Sequence, residues 1–148
     1  MRDQCYSSAD IEAAQAIEFQ TQLMVASDIC AAAAYTQFTQ RNREAIASYQ
    51  KQMIDHFRRG GTKSAERTFD TYMTKLANMD ALSSGMQTVA QVCQAASGLL
   101  ATASSIGSPA EFRAYIANQA MTNRANYSAC KIKTPRATAA LSEANRGN

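Results

Sequence analysis

The sequence has one histidine, two prolines and no tryptophan. A lone histidine excludes much chemistry. Zinc needs three or four ligands, and a di-iron bundle needs paired Glu-x-x-His motifs, which are missing here. A Ser–His–Asp or Cys–His arrangement would have to form around His56, whose chain neighbours are Asp55 and Phe57. His56 is therefore expected at the edge of an apolar seam, satisfied by water or a carboxylate, and no catalytic residue, cofactor or metal is assigned. No Gly-rich phosphate loop occurs. No apolar run approaches the ~20 residues needed to span a membrane.

Basic residues are missing from Asp3 to Gln40, where the only charges are Asp3, Asp10, Glu12, Glu18 and Asp28. Asp10, Glu12 and Glu18 read as a solvated N-terminal face rather than a carboxylate pair. The balance reverses over Arg41–Arg67, although the net charge is only +3. A nucleic-acid footprint would need a denser basic cluster with interleaved aromatics, so nucleic acid is not expected as a partner. Valine is scarce and alternating apolar runs are lacking, which argues against a sheet.

What is present is helix-forming. From Ser8 to Arg59 there is neither Gly nor Pro, and Ala, Gln, Glu, Leu and Met dominate. Ser8 is the expected N-cap. Apolar residues recur at helical spacing as Ile11, Ala14, Ile17, Leu23/Met24 and Ala31, then as Tyr35, Phe38, Ile46, Tyr49, Met53 and Phe57, with Asn42 as a polar entry. Without a breaker, one continuous helix is expected, about 75 Å long; a bend near Ala31–Tyr35 is the alternative. Gly60-Gly61 then turns the chain back. A second arm carries Phe69, Tyr72/Met73, Leu76, Met79, Met86, Val89, Val92/Cys93, Ala96 and Leu99/Leu100, with weak points at Gly85 and Gly98. Ser108-Pro109-Ala110-Glu111 is a cap, a first-turn proline and a capping-box pattern, opening a third helix that ends near Cys130. Thr134-Pro135 can start a weak peripheral helix or a disordered end.

The expected architecture is all-α: a long antiparallel helical hairpin with a third packed helix, within a three- to five-helix bundle. Residues 1–7 form a tail, 8–130 the bundle domain, and 131–148 a second tail or short helix. Methionines 24, 53, 73, 79, 86 and 121 could line a groove for copper(I) or an apolar ligand, but their place on the stripes favours core filling.

Four cysteines, Cys5, Cys30, Cys93 and Cys130, are too widely spaced for a C-x-x-C motif. In a hairpin folded at Gly60-Gly61, Cys30 lies level with residue 91, within a turn of Cys93, so the two are expected to bond. Cys5 and Cys130 are left for each other, a pairing that requires the tail to fold back or the first helix to bend. Disulfides imply an oxidising compartment. Met1–Gln4 is too short and polar for a signal peptide, so a mature exported chain with an added start Met is expected, periplasmic or secreted. At the hairpin tip Arg58, Arg59, Lys63 and Arg67 are expected to project together, away from the acidic N-terminal arm. They would suit a counter-anion or an acidic partner surface, or simply serve solubility and the helix end.

The runs Gln22–Cys30 and Tyr35-Thr36-Gln37-Phe38, the segments Arg41–Arg43 and Phe57-Arg58-Arg59, and the block Phe69–Asn78 with Val92-Cys93 resemble small secreted proteins of alphaproteobacteria. The resemblance covers roughly residues 20–100 and departs at Val92, where an aromatic is usual before the second cysteine. That family carries no assigned activity, so the resemblance implies compartment and fold alone. The expected function is a non-enzymatic exported protein acting through an envelope protein partner. The alternatives are an accessory or minor-pilin-like component of a secretion apparatus and a carrier of small apolar ligands or metal.

Overall fold

A computed structural model describes residues 4–131. The protein is all-helical, with α1 (Ser8–Ile29), α2 (Ala34–Arg41), α3 (Arg43–Arg59), α4 (Ala65–Ser84), α5 (Val89–Ala95), α6 (Ser97–Ser105) and α7 (Pro109–Thr122), then a 3-10 turn at Arg124–Asn126. The expected C-terminal helix after Thr134 lies outside the described residues.

The long first helix is not continuous. It stops at Ile29, and Ala31 adopts a left-handed backbone with φ 51°. No glycine or proline marks the spot; the break follows from burial. A straight helix would leave half of an Ala-rich, weakly apolar surface in water, whereas folding back lets α1 be covered on every side. α1 packs against α3, α4 and α7 and also touches α2, α5 and α6. Thirteen of its 22 residues are buried, among them Gln15, Gln20, Thr21 and Ser27. The turn is secured locally: Ala32 N–H donates to Ser27 O (2.9 Å), and Tyr35 N–H donates to the Ser27 hydroxyl (3.2 Å). A second break falls at Asn42, fully buried, whose side-chain amide donates to Phe38 O (3.0 Å).

This reversal sets the layout. α3 runs antiparallel to α1, which brings Asp10 beside His56. At Gly60-Gly61 the chain turns again, with Gly61 at φ 88°, a conformation that glycine adopts without strain. α4 then runs alongside α1 in the same direction. α7 is antiparallel to α1, since Gln15 reaches Asn123 while Phe19 meets Phe112. At the centre, Phe19 of α1, Phe38 of α2, Tyr49 of α3 and Phe112 of α7 pack edge to face, with Phe38–Phe112 centroids 4.8 Å apart. Such contacts add about 0.5–1.5 kcal/mol each beyond the area buried.

The second arm is also segmented. α4 ends at Gly85, and α5 starts from Thr88, which forms a capping box with Gln91. α7 starts from Ser108 as read from sequence, but its box is only half made: Glu111 N–H donates to the Ser108 hydroxyl, while the Glu111 carboxylate accepts from Gly107 N–H instead. It ends at Thr122, short of Cys130.

Both disulfides are present: Cys30–Cys93, with Cα atoms 5.7 Å apart, and Cys5–Cys130, with Cα atoms 4.8 Å apart. Residues 34–59 remain one arm of the hairpin and α4–α5 the other, so the level match of Cys30 with Cys93 survives the break. Folding α1 back carries Cys5 to the tip end, where the chain after α7 also arrives. The N-terminal tail is thereby tied in, with Tyr6 N–H donating to Ser128 O and Cys130 N–H donating to Tyr6 O, both 2.9 Å.

An alanine in the left-handed region carries a cost of about 1–2 kcal/mol that glycine avoids. Ala31→Gly should therefore stabilise the protein by about 0.5–1 kcal/mol after allowance for the freer unfolded chain. Urea denaturation of the oxidised protein measures it, and a loss of stability would contradict the turn geometry.

Candidate functional site

The N-terminal turn of α1 sits against the C-terminal end of α3, and the contact is polar. Ser7, not Ser8, caps α1: its hydroxyl accepts from Asp10 N–H (3.1 Å), and the Asp10 carboxylate accepts from Ser7 N–H (3.0 Å). The same carboxylate, 1% exposed, receives three more donors from α3. Oδ1 accepts from Gln52 Nε2 (2.8 Å) and Arg59 Nη2 (2.7 Å), and Oδ2 pairs with His56 Nδ1 at 3.0 Å. The four residues meet because 52, 56 and 59 lie one helical turn apart on one face of α3.

Burial alone would push the Asp10 carboxyl up; hydrogen bonds led by Gln52, Ser7 N–H and His56 outweigh it and bring it down to about 2. Asp10 is then an anion throughout the neutral range and can only accept. His56 must hold its proton on Nδ1, which leaves Nε2 directed away from Asp10. The ring, 4% exposed, is stacked on Tyr6, with centroids 4.3 Å apart and planes inclined 26°.

A second network ties α1 to the chain beyond α7. Gln15 Nε2 donates to Tyr127 Oη (2.6 Å) and Glu18 Oε2 (3.2 Å), Asn123 Nδ2 donates to Gln15 Oε1 (2.7 Å), and Tyr127 Oη donates to Glu18 Oε1 (3.2 Å). Burial raises the Glu18 carboxyl and pushes the Tyr127 phenol up to about 12. Tyr127 also packs against Tyr6, so the two networks share a wall.

Several expectations are corrected here. His56 does meet a carboxylate, which is Asp10, 46 residues away in sequence, but the residue is buried rather than at an edge. Asp10 is no part of a solvated acidic face. The tip is not a free cation cluster set apart from the acidic arm: Arg59 reaches Asp10, while Arg58 bridges Asp55 (2.8 Å) and Glu66 (2.9 Å). Lys63 and Arg67 are exposed with no ion pair among the described residues. The antiparallel return of α1 is the reason, since it lays the N-terminus under the tip. Of the methionines, Met53 is buried and Met24 and Met73 are half-buried, but Met79, Met86 and Met121 face water. Among the described residues no three histidine, cysteine or carboxylate side chains converge on a point. Phe19, at the core centre, was missed by a stripe drawn on one side of α1; a helix covered all round has no single stripe.

No protein-family model matches the chain, and no curated protein or solved structure is significantly similar to it.

Asp10→Asn keeps the shape but removes the charge that orients His56 and Arg59, and should cost about 2–4 kcal/mol. The folded-state carboxyl of Asp10 lies below its unfolded value, so its contribution is present above about pH 4 and is lost as pH falls through about 2. Urea titrations between pH 5 and pH 2 should show the wild type losing its advantage over the variant. A constant gap across that range would contradict the assignment.

Proposed function

We propose that the chain is a non-enzymatic exported protein of the cell envelope, periplasmic or secreted, that acts by binding another protein. The observation that carries this reading is an apolar face near the far end of α4. Met79, Leu82, Met86 and Val89 are 64, 76, 96 and 63% exposed. Positions 79, 82 and 86 recur at three- and four-residue spacing, so they share one side of α4 and of the turn that ends it. Met79, Met86 and Val89 were expected on the core stripe, yet the core closes without them and without Leu82 around Phe19, Phe38 and Phe112. Exposed apolar side chains grouped in this way favour a partner surface, whereas scattered single ones would need no explanation.

Two disulfides support an oxidising, extracytoplasmic setting, and no helix among the described residues is long and apolar enough to cross a membrane.

Leu82→Glu combined with Met86→Glu should leave stability within about 0.5 kcal/mol, because both side chains are exposed. The pair should lower capture of a partner from envelope extract at least tenfold while the circular dichroism spectrum stays intact. Capture that the double substitution leaves unchanged would remove this face from the function.

A further inference from the structure

His56 is buried, yet one of its ring nitrogens is not sealed in the protein. Nδ1 is bound to Asp10, whereas Nε2 has no hydrogen-bond partner among the described residues and is not among the enclosed polar atoms. The ring lines a groove of about 660 Å³ between the α3–α4 turn and the two chain segments held by Cys5–Cys130. That volume lies within the range of sites for small molecules.

The walls are of three kinds, one of them the Gln4 amide, whose Oε1 is buried without a hydrogen-bond partner. Tyr6 and Phe57, both packed against the His56 ring, supply aromatic surface. Thr62, Thr68 and Ser128 supply hydroxyls that make no hydrogen bond among the described residues. No carboxylate, ammonium or guanidinium side chain lines the groove; nearby, Arg58 and Arg59 are paired with acids, and the exposed Lys63 and Arg67 adjoin Thr62 and Thr68 without lining it. With Nδ1–H donated to Asp10, the ring in its neutral form presents a lone pair at Nε2. A buried acceptor set among aromatic faces and free hydroxyls is chemistry for an uncharged ligand that brings its own O–H or N–H donor.

We propose that this groove is a binding site for a neutral small molecule bearing hydroxyl or amide groups, with His56 Nε2 accepting a hydrogen bond from it. Asp10 is a positioning residue, because it fixes the tautomer without touching the ligand. The site is independent of the docking face, since Thr68 and Leu82 are separated by about 20 Å along α4.

As the single histidine, His56 reports on the groove without ambiguity. Untagged, oxidised protein labelled with nitrogen-15 is titrated with N-acetylglucosamine and with benzamide, each to about 50 mM, a range that detects millimolar affinity. At least one probe should shift the Nε2 resonance saturably, and Thr68→Trp, which narrows the groove from its α4 wall and leaves Asp10 and His56 unsubstituted, should reduce the affinity at least tenfold. A parallel titration with benzoate should shift Nε2 at least tenfold more weakly than benzamide. Failure of both neutral probes, a shift that persists in Thr68→Trp, or equal binding of benzoate would overturn the proposal.

Discussion

A buried carboxylate holds the tip end of this molecule together. Asp10 is withdrawn from water and accepts from its own helix N-terminus and from three side chains of α3. An unpaired carboxylate there would be expensive, several kcal/mol even after relaxation. The requirement for donors is therefore also a requirement on register: α1 can lie against α3 only where Gln52, His56 and Arg59 come level with Asp10. The apolar seam between these helices is rich in alanine and specifies register weakly, so the polar contact contributes what the packing lacks.

The two disulfides divide the remaining task. Cys5–Cys130 ties the ends of the described chain together beside Asp10, and Cys30–Cys93 ties the opposite end, where α1 turns into α2 and α5 arrives. Their loops span 125 and 63 residues, and chain entropy assigns cross-links of such length about 4–5 kcal/mol each, with residual unfolded-state structure reducing it. Between the two staples, α4 is covered by α1 and α3 on one side only. Its other side is left with the apolar surface that the functional reading uses.

Much of this was legible in residue order. Helical propensity and the Gly60-Gly61 turn define an all-α chain, and the level of Cys30 on one arm against Cys93 on the other identifies their bond. The break at Ala31 was not legible, because it is a tertiary event: nothing local disfavours helix through Ala31–Ala34, and the reversal arises because α1 is buried on all faces only when folded back. From that omission follow the others. With α1 drawn straight, Asp10 lies far from His56, Glu18 far from Tyr127, and Cys5 far from Cys130. Polar residues such as Gln15 and Thr21, which make α1 look poorly amphipathic, are the signal that was available: they face neighbouring helices, and a helix without a stripe is a candidate for the centre of a bundle. The exposure of Met79 and Met86 was hidden for a related reason, since helical spacing identifies a shared side of α4 without saying whether anything covers it.

The central claim is that the Asp10 carboxylate grips His56 through Nδ1, and the tautomer of the imidazole tests it most directly. Long-range proton–nitrogen correlation spectra of the oxidised protein, recorded at a pH where the ring is neutral, should show the proton on Nδ1, exchanging slowly with solvent, and an unprotonated Nε2. A neutral ring carrying its proton on Nε2 would mean that Asp10 does not accept from His56, and would contradict the register of α1 on α3 described above.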